Sequence, residues 1–516
     1  MRNGKTKKLV GFALALAFLL AAFAGCAGKG REDKEVQVET TVKDSLVVAM
    51  ESDVPTLHPF DHTSVTAGYM NALTYNALFR TDPDTLEPVP DLCTEWSQQD
   101  ESTWLFTIHD GVKFHDGSLM TAQDVVASME YAREYPTTKQ YSSFWVSAEA
   151  LDELTVKVVT DGPYALTLTD MASLKVVPKA LIDSGNDFNL NPIGTGPYRF
   201  VSQVLGDRLE FEAFEDYFDT EHAPSIGRLT WRIIPEGSSR TIALETGEVD
   251  FIVEVDSNDL QRLRDSENIE VQTVSGTRMN YFSMNNEVSP FDNEDFRKAV
   301  NAAIDREAVL TVALNGEGML AEGVCPSIFS GTSADNSEGY DLQKAEAYLE
   351  SSGVDPETVS FACIVSNDTT RRAAEVIQAN LAEIGLNMTI ESLDYAAWLS
   401  DVMGGTYETA ITGYTSTSLA RYLSGTFHTS ALNAANQARV SDSYVDGIID
   451  AALKLTDSEA SDALYREVTA YLNGLTPYVP LYESIVTRAY NSELEGVKVG
   501  SSGNVRFEDI SWGDQN

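Results

Sequence analysis

The sequence predicts a mixed α/β protein with more than one domain, as its length, its composition and its alternating periodicity indicate. The chain has 516 residues, 43% of them apolar, which is more than a single compact domain usually contains. Short β-rich runs such as 45–50 alternate with stretches of helical spacing such as 121–132. Because both kinds of segment alternate through both halves of the chain, strands and helices are expected to share each domain.

The individual elements follow from residue type and spacing. Thr121 is placed to cap a helix, with Asp124 three residues later, as in a capping box. Gly385 follows another helical stretch as its C′ residue, and the GTGP segment at 194–197 predicts a turn before a strand. The predicted strands are 45–50, 103–108, 155–159, 198–204, 387–391 and 410–414, and the predicted helices are 65–79, 121–132, 295–314, 341–351 and 370–384.

Charge and cysteine content exclude several classes of function. The formal net charge is −43, so the surface repels nucleic-acid phosphates and anionic lipid head groups and favours a soluble monomer. Cys93, Cys325 and Cys363 are far apart and show no CxxC spacing, so a metal cluster is not expected. They are interpreted as buried free thiols, and a single disulfide among them remains the alternative.

The N-terminus has the order of an export signal. A basic stretch at 2–8 precedes an apolar run at 9–24, and small residues then lead to Cys26. This arrangement resembles a bacterial lipobox, with Phe23 where leucine is usual. The resemblance implies a signal peptide at 1–25, lipidation of Cys26 and a polar tether at 26–44. An uncleaved membrane helix over 9–28 is the alternative, and either reading places the remaining chain outside the cytoplasm.

No catalytic motif accompanies this export signal. The sequence has no GxSxG, HExxH, P-loop or EF-hand pattern, and its six histidines are scattered. The prediction is therefore a binding protein, not an enzyme, with no cofactor and no metal site. The alternatives are an exported hydrolase, or a protein that binds a nickel or other metal complex or a sugar.

Six segments, in order along the chain, resemble the peptide/nickel-type solute-binding proteins of ABC importers, the dipeptide- and oligopeptide-binding family. They are DVPTLHP (53–59), DLCTEWS (91–97), TIHDGVKFHDGSLMTAQDV (107–125), NPIGTGPYRF (191–200), ALETGEVD (243–250) and PFDNEDFRKAVNAAIDREAVL (290–310). The resemblance implies capture of peptides or a related small polar solute for delivery to an ABC permease. The expected location is the outer face of the bacterial cytoplasmic membrane, or the periplasm.

The same resemblance implies a periplasmic-binding-protein-like fold of type II, with a ligand cleft between two lobes. Lobe I would comprise 45–85, 192–285 and 477–516, with an extra subdomain at 86–191 and lobe III at 286–476. The chain would cross between lobes near 285–290 and 475–480. Hinge closure around the ligand is the expected mechanism.

One position departs from the family's ligand site. The peptide binders of this family hold the ammonium group of the peptide with the aspartate of a GWxxD motif. The matching stretch in this chain, 413–417 (GYTST), ends in Thr417 instead. A hydroxyl offsets a buried ammonium less well than a carboxylate, so longer peptides, modified peptides, sugars and other polar solutes all remain open as ligands. The positions implied as ligand-binding are Thr66, Tyr69, Tyr281, Asn285, Tyr395, Tyr414, Thr417 and Arg421.

Overall fold

The structure is a computed structural model that describes residues 43–62, 64–456 and 458–513. The predicted signal peptide, the lipidation site Cys26 and the tether up to residue 42 lie outside the described residues. Within the described ranges, no helix combines the length and the apolar character needed to cross a bilayer.

Strands and helices alternate along the chain, which confirms the predicted α/β class. The strands are β1 (Ser45–Met50), β2 (Phe79–Thr81), β3 (Pro88–Pro90), β4 (Cys93–Gln98), β5 (Thr103–Ile108), β6 (Trp145–Ala150), β7 (Thr155–Thr160), β8 (Tyr198–Val204), β9 (Arg208–Ala213), β10 (Arg228–Ile233), β11 (Phe251–Ile252), β12 (Ile269–Met284), β13 (Met319–Leu320), β14 (Ser360–Val365), β15 (Asn387–Ser392), β16 (Thr409–Thr415), β17 (Tyr478–Asn491), β18 (Leu494–Glu495) and β19 (Ser511–Trp512). The helices are α1 (Val65–Thr74), α2 (Ala122–Ala132), α3 (Lys139–Ser142), α4 (Thr167–Met171), α5 (Lys179–Ser184), α6 (Gly237–Glu245), α7 (Leu260–Arg264), α8 (Glu294–Ala303), α9 (Arg306–Leu314), α10 (Leu342–Ser352), α11 (Asp368–Glu383), α12 (Tyr395–Gly404), α13 (Leu419–Thr426), α14 (Ser443–Ala452) and α15 (Ser458–Leu475).

One eleven-stranded sheet organises the molecule. Its first arm has the strand order β11-β1-β10-β9-β8, and its second arm has the order β15-β14-β16. The long strands β12 and β17 lie between the two arms and pair with each other, while β13 pairs with β17. A separate small sheet has the order β4-β5-β7-β6.

The chain passes from one arm to the other inside the paired strands β12 and β17. β16 pairs with residues 278–284 of β12, whereas β11 pairs with residues 489–490 of β17. The β12–β17 register shifts between Ser275 and Met279, and a Cβ at Gly276 would lie 2.7 Å from the carbonyl oxygen of Ser484. The crossings predicted near 285–290 and 475–480 adjoin the end of β12 and the start of β17, and they stay a prediction. Pairing within a ladder keeps the backbone hydrogen-bonded, and a bulge allows the bend.

The single helix predicted over 295–314 is wrong, because the chain forms α8 and α9 with a break between them. Ile304 is extended, and the side chain of Asp305 accepts a 3.1 Å hydrogen bond from the amide of Ala308 as the N-cap of α9. Asp305 thus begins a new helix where apolar periodicity alone continues the old one.

The three cysteines within the described residues are buried free thiols, so the structure does not contain the alternative disulfide. Burial raises the pKa of Cys93 and of Cys363 to about 12, which keeps both thiols protonated at neutral pH.

Candidate functional site

The loop between β16 and α13 lies at the centre of the candidate site. β14 runs parallel to β15 and β16, and ligands of α/β proteins bind beyond the carboxyl ends of parallel strands. β16 ends at Thr415, and the Ser418 hydroxyl accepts a 3.3 Å hydrogen bond from the amide of Arg421 as the N-cap of α13. Thr417, exposed between them, lines three cavities, which therefore meet at this residue.

The first of these, the tyrosine cavity, has a volume of about 470 Å³. Tyr141 of α3 and Tyr164, just before α4, line it together with Tyr414 of β16 and Arg421 of α13. Burial raises the pKa of all three phenols, so they remain neutral and can both donate and accept hydrogen bonds. Such walls suit a ligand that is polar at some atoms and apolar along its faces.

An ion pair closes one side of the tyrosine cavity. The guanidinium of Arg421 in α13 contacts the carboxylate of Asp170 in α4, whose side chain is 1% exposed. Tyr164 donates a 2.8 Å hydrogen bond to the same carboxylate. Burial raises the pKa of Asp170, and the charge of Arg421 opposes that shift. The positive charge of Arg421 is therefore already directed at a protein carboxylate.

Backbone and apolar contacts join the same two parts of the molecule. The Ala165 amide donates a 2.8 Å hydrogen bond to the carbonyl of Leu453, at the end of α14. Leu166 is buried in the same core cluster as Leu419 of α13. The region around α4 thus packs against the helices that follow the second arm, and the cleft is closed on this side.

Two further cavities adjoin the tyrosine cavity. The leucine cavity, of about 230 Å³, is lined by Leu86, Leu166, Phe329 and other residues. The charged cavity has a volume of about 320 Å³ and shares Ser173 and Thr417 with the tyrosine cavity. A ligand longer than one side chain can therefore extend from one cavity into another around Thr417.

The structure brings three of the eight predicted site residues together, since Tyr414, Thr417 and Arg421 all line the tyrosine cavity. The residues in α1 lie elsewhere and have structural contacts. Thr66 donates a 3.3 Å hydrogen bond to the carbonyl of Asp53. Tyr69 stacks on Trp231 in the core beside the first arm, with 5.8 Å between ring centres.

The remaining three predicted positions do not line the three cavities either. Tyr281 is fully buried and stacks on Tyr478 with 4.0 Å between ring centres. Asn285 is also fully buried and donates hydrogen bonds of 3.0 and 2.9 Å to the carbonyls of Gly405 and Tyr407. Tyr395 is 64% exposed at the start of α12. These side chains support the sheet or face solvent in this structure.

Sequence reasoning missed several residues that line or close the cleft. The sequence contains no pattern that indicates a role for Asp170, because its partner Arg421 is 251 residues away in the chain. For Lys175 the sequence offers a weak indication, since this residue interrupts the apolar run of Leu174, Val176 and Val177. In the described part of the chain, no group of three or more His, Cys, Asp and Glu side chains is placed to hold a metal ion.

Comparison with known proteins agrees with this geometry. The family model for bacterial extracellular solute-binding proteins, family 5 Middle, matches residues 87–431, more than half of the 516 residues. The chain belongs to this family. It is accordingly an extracytoplasmic solute-binding component of an ABC importer, with the family's two-lobed α/β fold.

Individual relatives of this solute-binding protein cover nearly the whole chain. The glutathione-binding protein GsiB of Pectobacterium atrosepticum is 28% identical over 480 residues, which cover 90% of this chain and 93% of that protein. HbpA2 from Haemophilus parasuis has a TM-score of 0.83 at 23% identity, covering 91% of this chain and 99% of the other. The periplasmic binding protein DppA from Helicobacter pylori, in complex with the peptide STSA, has a TM-score of 0.74 at 24% identity, covering 91% and 98%.

Proposed function

We propose that this solute-binding protein captures a short peptide or a related small polar solute in the cleft around Thr417 and delivers it to a membrane permease. The observation that carries the proposal is the meeting of three cavities at Thr417, the position that matches the ammonium-binding aspartate of the family's peptide binders. The relatives named for glutathione and for a bound peptide support the same class of ligand.

Recognition in this cleft relies on shape and hydrogen bonds more than on an ion pair at Thr417. The Thr417 side chain supplies a hydroxyl instead of a carboxylate, and the neighbouring wall supplies neutral phenols. The charge of Arg421 is offset by Asp170. A ligand that presents backbone amides to these groups fits better than one whose binding depends on a bare ammonium at this point.

The division into lobes is proposed as the sequence predicts it. Lobe I then comprises 45–85, 192–285 and 477–516, the extra subdomain 86–191, and lobe III 286–476. The first arm of the sheet belongs to lobe I, the small sheet to the extra subdomain and the second arm to lobe III. The lobes would close at the crossings near 285–290 and 475–480, which adjoin the end of β12 and the start of β17.

Attachment to the membrane is proposed through a lipid on Cys26, with the segment 26–44 as a tether. The tether would hold a monomeric receptor at the outer face of the cytoplasmic membrane, close to its permease. The order of basic, apolar and small residues before Cys26 supports this arrangement. The protein is proposed to bind without turnover, so that the solute leaves the cleft chemically unchanged.

Calorimetric titration of the full chain with reduced glutathione and with a pool of tripeptides tests this function. We expect saturable binding of at least one of these probes, and mass spectrometry of the mixture should recover the bound probe intact. A pocket of this size, with apolar walls and a few polar groups, is typical of small-ligand sites. Absence of binding by both probes, or appearance of cleavage products, would contradict the proposal.

A bulky substitution at Thr417, where the three cavities meet, tests whether the ligand binds there. Thr417→Trp is expected to weaken binding of the same probe by about 10-fold or more, since overpacking a site costs roughly 1–3 kcal/mol. Thr389→Trp, at an exposed position of the edge strand β15, is the matched control and should bind as the unaltered chain does.

A further inference from the structure

Two cations line the charged cavity without a carboxylate partner. Arg80 lies in β2 and Lys175 follows α4, and both side chains are partly buried. Among the described residues, no carboxylate oxygen lies within 4.0 Å of either cationic group. The other two cations that line the cavity are paired, Lys498 with Asp84 at 2.6 Å and Arg506 with Glu508 at 2.8 Å.

Asp91 is the carboxylate that acts on both unpaired cations, and its oxygens are already engaged. They accept 3.1 Å hydrogen bonds from the side-chain amide of Asn76 and a 3.3 Å hydrogen bond from the amide of Ala77. Burial raises the pKa of Asp91, and the charges of Lys175 and Arg80 oppose that shift. Among the described residues, Arg80 and Lys175 thus share Asp91 without a direct ion pair, whereas the other carboxylates that line the cavity, Glu508 and Asp509, are both engaged by Arg506.

Two cations without a direct ion pair stand out in a chain whose formal net charge is −43. Removing a cation from water without an anion close by is costly, and burial lowers the pKa of Lys175 although Asp91 opposes the shift. A carboxylate placed between the two groups would give both of them a charge-assisted hydrogen bond.

We propose that the charged cavity binds a carboxylate group of the ligand between Arg80 and Lys175. The inference rests on the proposed function and specifies its ligand, an anionic peptide or peptide-like solute. Because this cavity shares Ser173 and Thr417 with the tyrosine cavity, the carboxylate end of the ligand points away from Tyr414 and towards β2.

Matched peptide pools test the subsite from the side of the ligand. The full chain is titrated with tripeptides that carry a free C-terminal carboxylate, with the same tripeptides as C-terminal amides, and with amides that carry one glutamate side chain. Loss of one charge-assisted contact is expected to weaken binding by about 10- to 100-fold, so the plain amides should bind that much less tightly. Recovery of affinity in the glutamate-containing amides would assign the carboxylate to a side chain, and no recovery would assign it to the C-terminus.

Variants test the subsite from the side of the protein. Lys175→Met and Arg80→Gln should each reduce the preference for free acids over amides, and circular dichroism checks that each variant is folded. Lys298→Met removes a partly buried lysine that is paired with Glu294 at 2.6 Å in α8, and it should keep the preference. Equal binding of acids and amides by the unaltered chain would overturn the subsite and leave solute capture intact, whereas binding of no pool would overturn both.

Discussion

Replacing Asp170 by asparagine is expected to weaken solute binding by about 100-fold, because breaking one partner of a buried ion pair leaves the other charge uncompensated. Asp170 and Arg421 contact each other across the side of the tyrosine cavity, with side chains that are 1% and 19% exposed. Under the proposed division, Asp170 lies in the extra subdomain and Arg421 in lobe III, so opening would return both groups to water and the substitution would penalise only the closed state. Calorimetric titration with the probe that binds the unaltered chain measures the loss.

A double variant and a surface control make this test specific. Asp170→Asn combined with Arg421→Gln removes both charges and should recover part of the lost affinity, as expected for two directly coupled residues. Asp183→Asn removes the acidic partner of an exposed ion pair with Lys179 in α5, and it should leave solute binding unchanged. An unaltered affinity in Asp170→Asn would show that this ion pair does not hold the cleft closed.

Replacing Gly194 by alanine is expected to destabilise the fold by about 3 kcal/mol, because an added methyl group has no room there. A Cβ at Gly194 would lie 2.1 Å from the carbonyl oxygen of Thr74 and 2.5 Å from the ring of Tyr75. The neighbouring Thr195 donates a 3.0 Å hydrogen bond to Asn76, which lines the charged cavity. The free energy of unfolding, measured in urea by tryptophan fluorescence, reports the change.

Gly68→Ala is the matched control for that substitution. Gly68 lies inside α1, and no heavy atom beyond its own helix turn would lie within 4 Å of an added Cβ. Alanine there should stabilise the chain by roughly 0.5–1 kcal/mol through its higher helix propensity. If both variants unfolded at the same urea concentration, the close approach at Gly194 would not determine stability.

Local patterns predicted most elements, and they failed where a side chain redirects the backbone. The runs at 45–50 and 103–108 coincide with β1 and β5, because their β-branched and aromatic residues suit a pleated, half-buried surface. Thr121 and Asp124 form the expected capping box at the start of α2. The helix predicted over 295–314 breaks at Asp305, since a capping aspartate outweighs continuous apolar spacing.

The cleft was harder to predict because its contacts join distant parts of the chain. The resemblance to the family located Thr417 and Tyr414 through one short motif, and both line the same cavity. It also offered Tyr281 and Asn285, which are fully buried instead. Among the residues that the structure describes, Arg80 and Lys175 lack a close carboxylate because of where the acidic side chains lie in the folded chain, and a linear pattern does not contain those positions.

Hydrogen exchange at the amide of Ala165 tests closure of the lobes over a solute most directly. This amide donates to the carbonyl of Leu453. Under the proposed division the bond joins the extra subdomain to lobe III, so protection of the amide would depend on the closed arrangement. At a saturating concentration of a solute that binds by calorimetry, we expect its exchange to slow by about 10-fold or more, while the amide of Trp231 within β10 changes little. An Ala165 amide that exchanges at the same rate with and without the bound solute would contradict the closure mechanism.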